Sequence, residues 1–261
     1  MSTLQSALQY GFSDMLVLAK RSIKRIRRQP DLLVGFTIQP VMFVLLFVYV
    51  FGGAIDTGPL DYVDFLIPGI IVQSMVFGGF VTALGLAEDL KKGLIDRFRS
   101  LPMWQPAVVA GRILADVGTN VIQLVIMFTV GFLVGFRFHT SFEEILAGIG
   151  LLLLLGYAFS WVFAFIGLTA SSPEAANAYG FTILFPVTFV SSAFVPPETM
   201  PSWLQPIAEY NPFTTMVDAA RALFVGTPAG NDVWGAVVWA LVITGVFSVL
   251  SVWRYRRAVG R

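Results

Sequence analysis

Residues 145–170 read ILAGIGLLLLLGYAFSWVFAFIGLTA, twenty-six positions without one charged side chain. An α-helix rises about 1.5 Å per residue, so roughly 20 apolar residues cross a hydrocarbon core of about 30 Å. The stretch is long enough to span a membrane. In lipid every peptide N–H and C=O must find a partner within the protein, which leaves helices and closed barrels as the only spanning structures. Barrel strands alternate polar and apolar positions, and this stretch does not. Five more runs, 32–53, 65–87, 107–136, 179–195 and 233–253, are similarly apolar; 179–195, at 17 residues, lies at the lower limit for a crossing. The pattern predicts an all-α integral membrane protein with six transmembrane helices.

The chain has 261 residues, 56% hydrophobic and 13% charged, with a mean hydropathy of +0.77. Six spans consume nearly all of it, so residues 1–261 read as a single transmembrane domain with no room for a soluble catalytic domain. The absence of Cys excludes disulfides, thiolate metal sites and Cys nucleophiles, and the sole imidazole, His139, has no second one to form a metal pair with. The first apolar run follows Lys20, Arg21, Lys24, Arg25, Arg27 and Arg28 without a small-residue cleavage pattern, so it is expected to stay as an anchor.

The placement of charge sets an orientation. Fifteen of the 17 Lys and Arg residues fall before the first run, between the second and third (Lys91, Lys92, Arg97, Arg99, Arg112) or after the sixth (Arg254, Arg256, Arg257, Arg261). Only Arg137 and Arg221 fall in the alternate connections. The positive-inside rule then puts both termini in the cytoplasm. Within residues 1–30, Phe12, Met15, Leu16, Ala19, Ile23 and Ile26 share a sector about 100° wide, with the cations beside it, which predicts an interfacial amphipathic helix.

Two connections carry further pattern. In 88–103, Leu90, Leu94, Phe98 and Leu101 recur at helical spacing, and Glu88, Lys92 and Asp96 form an i, i+4 charge ladder. This predicts a cytoplasmic helix continuing the second span and ended by Pro102. Its shape suits contact with another protein through Glu88, Leu94, Arg97, Phe98, Arg99 and Leu101; a solvated helix that merely reverses the chain is the equal alternative. The connection 196–232 is broken by prolines and carries Trp203, Tyr210 and Phe213, which predicts two short helices dipping into the outer leaflet. Asn211 should cap the second and Pro212 begin it. Asp218 and Arg221, three residues apart, should neutralise each other on the outer side.

Motifs for chemistry are missing. There is no G-x-x-x-x-G-K-[ST] phosphate loop, no H-E-x-x-H and no G-x-S-x-G. The centres of the spans lack the ionisable groups that proton- and cation-coupled transporters keep there. Asp116 lies one turn beyond Arg112 and is expected to pair with it. Gln39, Gln73, Asn120 and Gln123 read as interhelical glue, and Gly78, Gly79 and Gly85 as close packing.

Four stretches carry a resemblance: LIPGIIVQS (66–74); RFRSLPM (97–103) with GRILAD (111–116); SAFVPPETMPSWLQ (192–205); and YNPFTTMVDAARAL (210–223). With the six-span plan they resemble the membrane subunit of ABC exporters of the second permease type, particularly the daunorubicin-resistance-like permeases of bacteria. The resemblance implies an N-terminal elbow helix, a coupling helix docked on a separate ATPase, and two re-entrant helices before the sixth span. It also implies two ATPase subunits, which hold ATP and Mg, and a second permease chain, identical or homologous; this chain itself would hold no cofactor, bind no nucleic acid and not be an enzyme. The expected function is export of a hydrophobic or amphipathic drug or lipid across the plasma membrane. The alternatives are a polysaccharide or glycolipid exporter of the same architecture, and a membrane scaffold without transport.

Overall fold

The computed structural model describes residues 30–93, 107–228 and 230–259. The segment 1–29 and residues Leu94, Arg97, Phe98, Arg99 and Leu101 lie outside the described residues, and with them the interfacial helix and most of the expected coupling contact.

The described chain is helical. In order come α1 (Pro30–Leu46), extended by a π-helical turn over Phe47–Phe51; α2 (Tyr62–Phe77); α3 (Phe80–Lys91); α4 (Ala107–Val134); and α5 (Phe142–Thr169). They are followed by α6 (Pro173–Phe189), a 3₁₀ turn at Pro197–Thr199, α7 (Gln205–Glu209), α8 (Pro212–Val225) and α9 (Asp232–Val259). Among the described residues, four stretches are long and apolar enough to cross a membrane: Tyr62–Lys91, Val109–Val134, Phe142–Thr169 and Asp232–Arg257. The remaining two runs form α1 and α6, each 17 residues long.

The run 65–87 becomes α2 and α3, separated only by Gly78 and Gly79, and this pair is the central post of the molecule. Every residue of α2 from Asp64 to Val76 is buried. A helix apolar on all sides is stable only when surrounded, and α1, α4, α5 and α8 pack around α2 while α5 and α6 pack on α3. Backbones approach closely at glycines: a Cβ on Gly69 would stand 2.4 Å from the Ala193 carbonyl oxygen, and one on Gly167 2.4 Å from that of Ala83. By contrast α9 rests chiefly on α5 and turns Trp234, Val238, Leu241 and Val249 outward. Those side chains suit lipid rather than water.

Two boundaries differ from the sequence reading. Helix α6 starts at Pro173, with Ser172 accepting the Ala175 N–H at 3.1 Å, and ends at Phe189; residues 190–195 turn away. Glu174 and Asn177 hid this first turn from a reading by apolarity, although Ser-Pro is itself a helix start. Helix α3 stops at Lys91, and Gly93 takes φ +64, the left-handed conformation that closes helices. Residues 88–103 are therefore not one unbroken continuation of the second span. Helix α5 starts with Glu143 and Glu144 exposed in its first turn, where Ser141 and Glu144 form a reciprocal capping box.

Candidate functional site

At the α8 end of the molecule, one asparagine closes two helices. Asn211 Oδ1 accepts the Phe213 N–H at 2.9 Å, starting α8 with Pro212 in its first turn. Its Nδ2 donates to the carbonyls of Val187 (2.7 Å) and Val190 (2.6 Å), groups left over at the end of α6. Thr214 Oγ1 donates to the Ala208 carbonyl at 2.6 Å, tying α7 on as well.

One turn further along α8, Asp218 and Arg221 pair at 2.5 Å. Arg221 is 5% exposed, and its fork does more than neutralise a carboxylate. Nε and Nη2 both donate to the Phe65 carbonyl at 3.1 Å, Nη2 also to the Ser192 carbonyl at 2.8 Å, and the guanidinium lies 3.8 Å above the Phe65 ring. The planar, five-donor geometry of Arg permits this triple use. Ser192 Oγ completes the knot by donating to Asp218 at 2.7 Å. Burial pushes the Asp218 carboxyl up, while the Arg221 guanidinium and the Ser192 hydroxyl pull it back down. Burial lowers Arg221 to about 10, so it remains a cation at neutral pH. The clamp joins α2, the turn after α6, and α8. Beside it, His139 Nε2 meets Asp64 Oδ2 at 2.9 Å, and the His139 N–H donates to the Phe224 carbonyl at 3.0 Å.

Midway along the helices lies a cleft between α1, α2 and α4, lined by Gln39, Pro40, Phe43, Gln73, Ser74, Phe77 and Gln123. Three carboxamides and a hydroxyl face three apolar groups, and none of the lining side chains is ionisable. Gln73 Nε2 donates to Thr188 Oγ1 at 3.1 Å, linking the cleft to α6. Along the same side runs a ladder of phenylalanines. Ring centroids step from Phe163 to Phe80 (4.4 Å), Phe181 (4.8 Å), Phe185 (6.4 Å), Phe189 (4.2 Å), Phe194 (4.7 Å), Phe47 (4.7 Å) and Phe51 (5.4 Å). Phe43 and Phe77 flank it from the cleft. The ladder therefore extends from α5 to the π turn beyond α1. Sequence reading named the glutamines as glue and missed the ladder, although Phe181, Phe185 and Phe189 at i, i+4 spacing were a visible signal.

At the opposite end, Arg112 does not pair with Asp116. It bonds Asp89 of α3 at 2.9 Å and lies directly on the Gly85 backbone, while Asp116, 1% exposed, accepts the Thr82 hydroxyl at 2.6 Å. A residue one turn away lost to partners across the α3–α4 contact. Glu88 pairs with Lys92 at 3.7 Å on the surface, as the charge ladder predicts for that step; Asp96 lies outside the described residues.

A family model described as ABC-2 type transporter matches residues 13–225. The daunorubicin resistance ABC transporter permease protein DrrB1 of Streptomyces coeruleorubidus is 36% identical over 236 residues, 90% of this chain and 83% of the relative. The probable doxorubicin resistance ABC transporter permease protein DrrC of Mycobacterium tuberculosis is 24% identical over 259 residues, 97% and 92% of the two chains. A putative transport permease, ycf38, of Cyanophora paradoxa is 26% identical over 219 residues, covering 82% and 75%. A multi-pass bundle of apolar helices matched in this way has one place: the chain belongs to the ABC-2 type transporter family, as a membrane permease subunit of an ABC exporter.

Proposed function

We propose that this permease moves an amphipathic, aromatic molecule outward along the cleft and phenylalanine ladder, driven by ATP that a separate subunit hydrolyses. The observation that carries the reading is a cleft of three carboxamides, one hydroxyl and three apolar groups without an ionisable side chain, flanked by a run of phenylalanine rings that includes the stacked Phe185 and Phe189. Small-molecule sites are mostly apolar and aromatic with a few polar groups that fix orientation. The names of two relatives, daunorubicin and doxorubicin resistance permeases, support a drug as cargo. In this reading α1 and α6 complete six crossings, residues 1–30 lie along the inner interface, and α7 and α8 dip into the outer leaflet. Both termini are cytoplasmic and the membrane is the plasma membrane. Two ATPase subunits carrying ATP and Mg engage residues 88–103, and a second permease chain completes the complex.

Doxorubicin uptake into inside-out vesicles tests the path. A ring pair contributes about 1 kcal/mol beyond its burial. Removing two rungs with Phe185→Ala and Phe189→Ala should therefore raise the half-saturating drug concentration roughly tenfold, at about 1.4 kcal/mol per decade, with basal ATP hydrolysis retained. Unchanged drug dependence in the double variant would place the path elsewhere.

A further inference from the structure

Asn120 of α4 is 1% exposed, yet among the described residues neither Oδ1 nor Nδ2 has a hydrogen-bond partner. A buried amide left unpaired is costly, and a leucine of similar size would not incur that cost. Its surroundings explain where it is held. A Cβ on Gly78 would stand 2.6 Å from Oδ1, and a Cβ on Gly156 2.4 Å from Nδ2. The amide thus lies between two glycine backbones, one on α5 and the other at the α2–α3 junction.

That junction is the irregular point of the central post. Gly78 and Gly79 are both right-handed, the Gly78 N–H reaches the Ser74 carbonyl, and Thr82 and Ala83 both donate to the Gly79 carbonyl. Two adjacent glycines remove the side chains that would stiffen the backbone. Two acceptors stand at the same spot. From the Gly78 Cβ position, the Met75 carbonyl oxygen is 3.3 Å away and Gln123 Oε1 3.4 Å away. Arg112–Asp89 and Asp116–Thr82 tie α4 to α3, so a small swing of the two together against α2 would bring Asn120 Nδ2 toward the Met75 carbonyl.

We infer that Gly78–Gly79 is a hinge with two settings and that Asn120 is the positioning residue that stabilises the more bent one, unpaired in the setting seen here. The inference rests on the reading of the chain as an ATP-driven permease. The placement suits transmission. The start of α2 is held by Arg221 through the Phe65 carbonyl, whereas the end of α3 leads into the segment expected to meet the ATPase. An ATPase movement passed to α3 would bend the post at its middle while the outer end stays pinned. Bistable elements of this kind convert small displacements into discrete states.

The chain has no cysteine, so labels can be placed freely. Asp61→Cys and Lys92→Cys put spin labels at exposed positions beyond the two ends of the post. Distances are measured by double electron–electron resonance on the permease–ATPase complex in lipid nanodiscs, with and without ATP and vanadate. The expected result is a second, shorter distance that grows with nucleotide. Asn120→Leu should hold the long distance and cut export at least tenfold while the ATPase still co-purifies and hydrolyses ATP; Asn120→Ser, which keeps a hydrogen-bonding group, should restore part of the shift. One unchanging distance in a wild-type complex that hydrolyses ATP would overturn the hinge, as would a full shift and full export in Asn120→Leu. Absence of ATP hydrolysis in the wild-type complex would instead count against the permease reading.

Discussion

Arg221 spends its guanidinium on the Phe65 and Ser192 carbonyls and the Asp218 carboxylate, three acceptors on three separate segments. Removing one partner of a buried ion pair leaves the other uncompensated, at about 3–5 kcal/mol. Arg221→Ala should therefore lower the unfolding temperature of the purified protein and abolish export, with ATP hydrolysis partly retained because the defect lies far from the ATPase contact. Arg221→Lys should recover only part, since an ammonium cannot hold the fork; full export by either variant at normal expression would reduce the clamp to a surface feature. Asn211→Ala removes a cap worth about 1 kcal/mol and also strands the carbonyls of Val187 and Val190, so its loss in thermal unfolding should exceed that of an ordinary cap. The residues of this corner were legible because Asn-Pro and an i, i+3 charge pair are local signals. Their distant partners were not, because a backbone carbonyl such as that of Phe65 leaves no mark in residue type. Arg112 shows the reverse: a local partner, Asp116, was visible in sequence, but burial against α3 assigned Asp89 instead.

Between elements the decisive contacts are made by backbone. Gly69→Ala forces a methyl to within 2.4 Å of the Ala193 carbonyl oxygen, and overpacking of this kind costs about 1–3 kcal/mol. Gly118, also helical, has nothing within 4 Å of its Cβ position. Gly118→Ala should then be neutral or stabilise by up to about 1 kcal/mol through helix propensity. Opposite signs for these two substitutions in thermal unfolding would confirm that α2 is held by close approach, and equal effects would deny it. Helix identity was readable from apolar length, but ends were not. Apolarity follows the membrane rather than the helix, so it missed the polar first turn of α6, while the helical spacing of Leu90, Leu94, Phe98 and Leu101 carried the second span past Gly93. The interruption between α2 and α3 at Gly78 and Gly79 was also hidden, since the sequence showed one run.

At the scale of the whole molecule, the lopsided placement of cations predicts which ends face the cytoplasm. In intact cells a membrane-impermeant maleimide should label Glu143→Cys, and should label Arg256→Cys only after permeabilisation; the converse pattern would invert the orientation. Residues 88–103 should link the permease to its ATPase, with Phe98→Ala weakening co-purification about tenfold or more if Phe98 is an interface anchor. Retained association and substrate-stimulated hydrolysis would move the docking site. The central claim is that this chain supplies the path and a separate subunit the ATP chemistry. It is tested most directly by purified proteins in liposomes loaded with a drug-binding dye. Permease with its ATPase should accumulate doxorubicin only with hydrolysable ATP, and permease alone should show neither uptake nor hydrolysis. ATP hydrolysis by the lone chain, or a complete complex that hydrolyses ATP without moving any amphipathic substrate, would contradict the account.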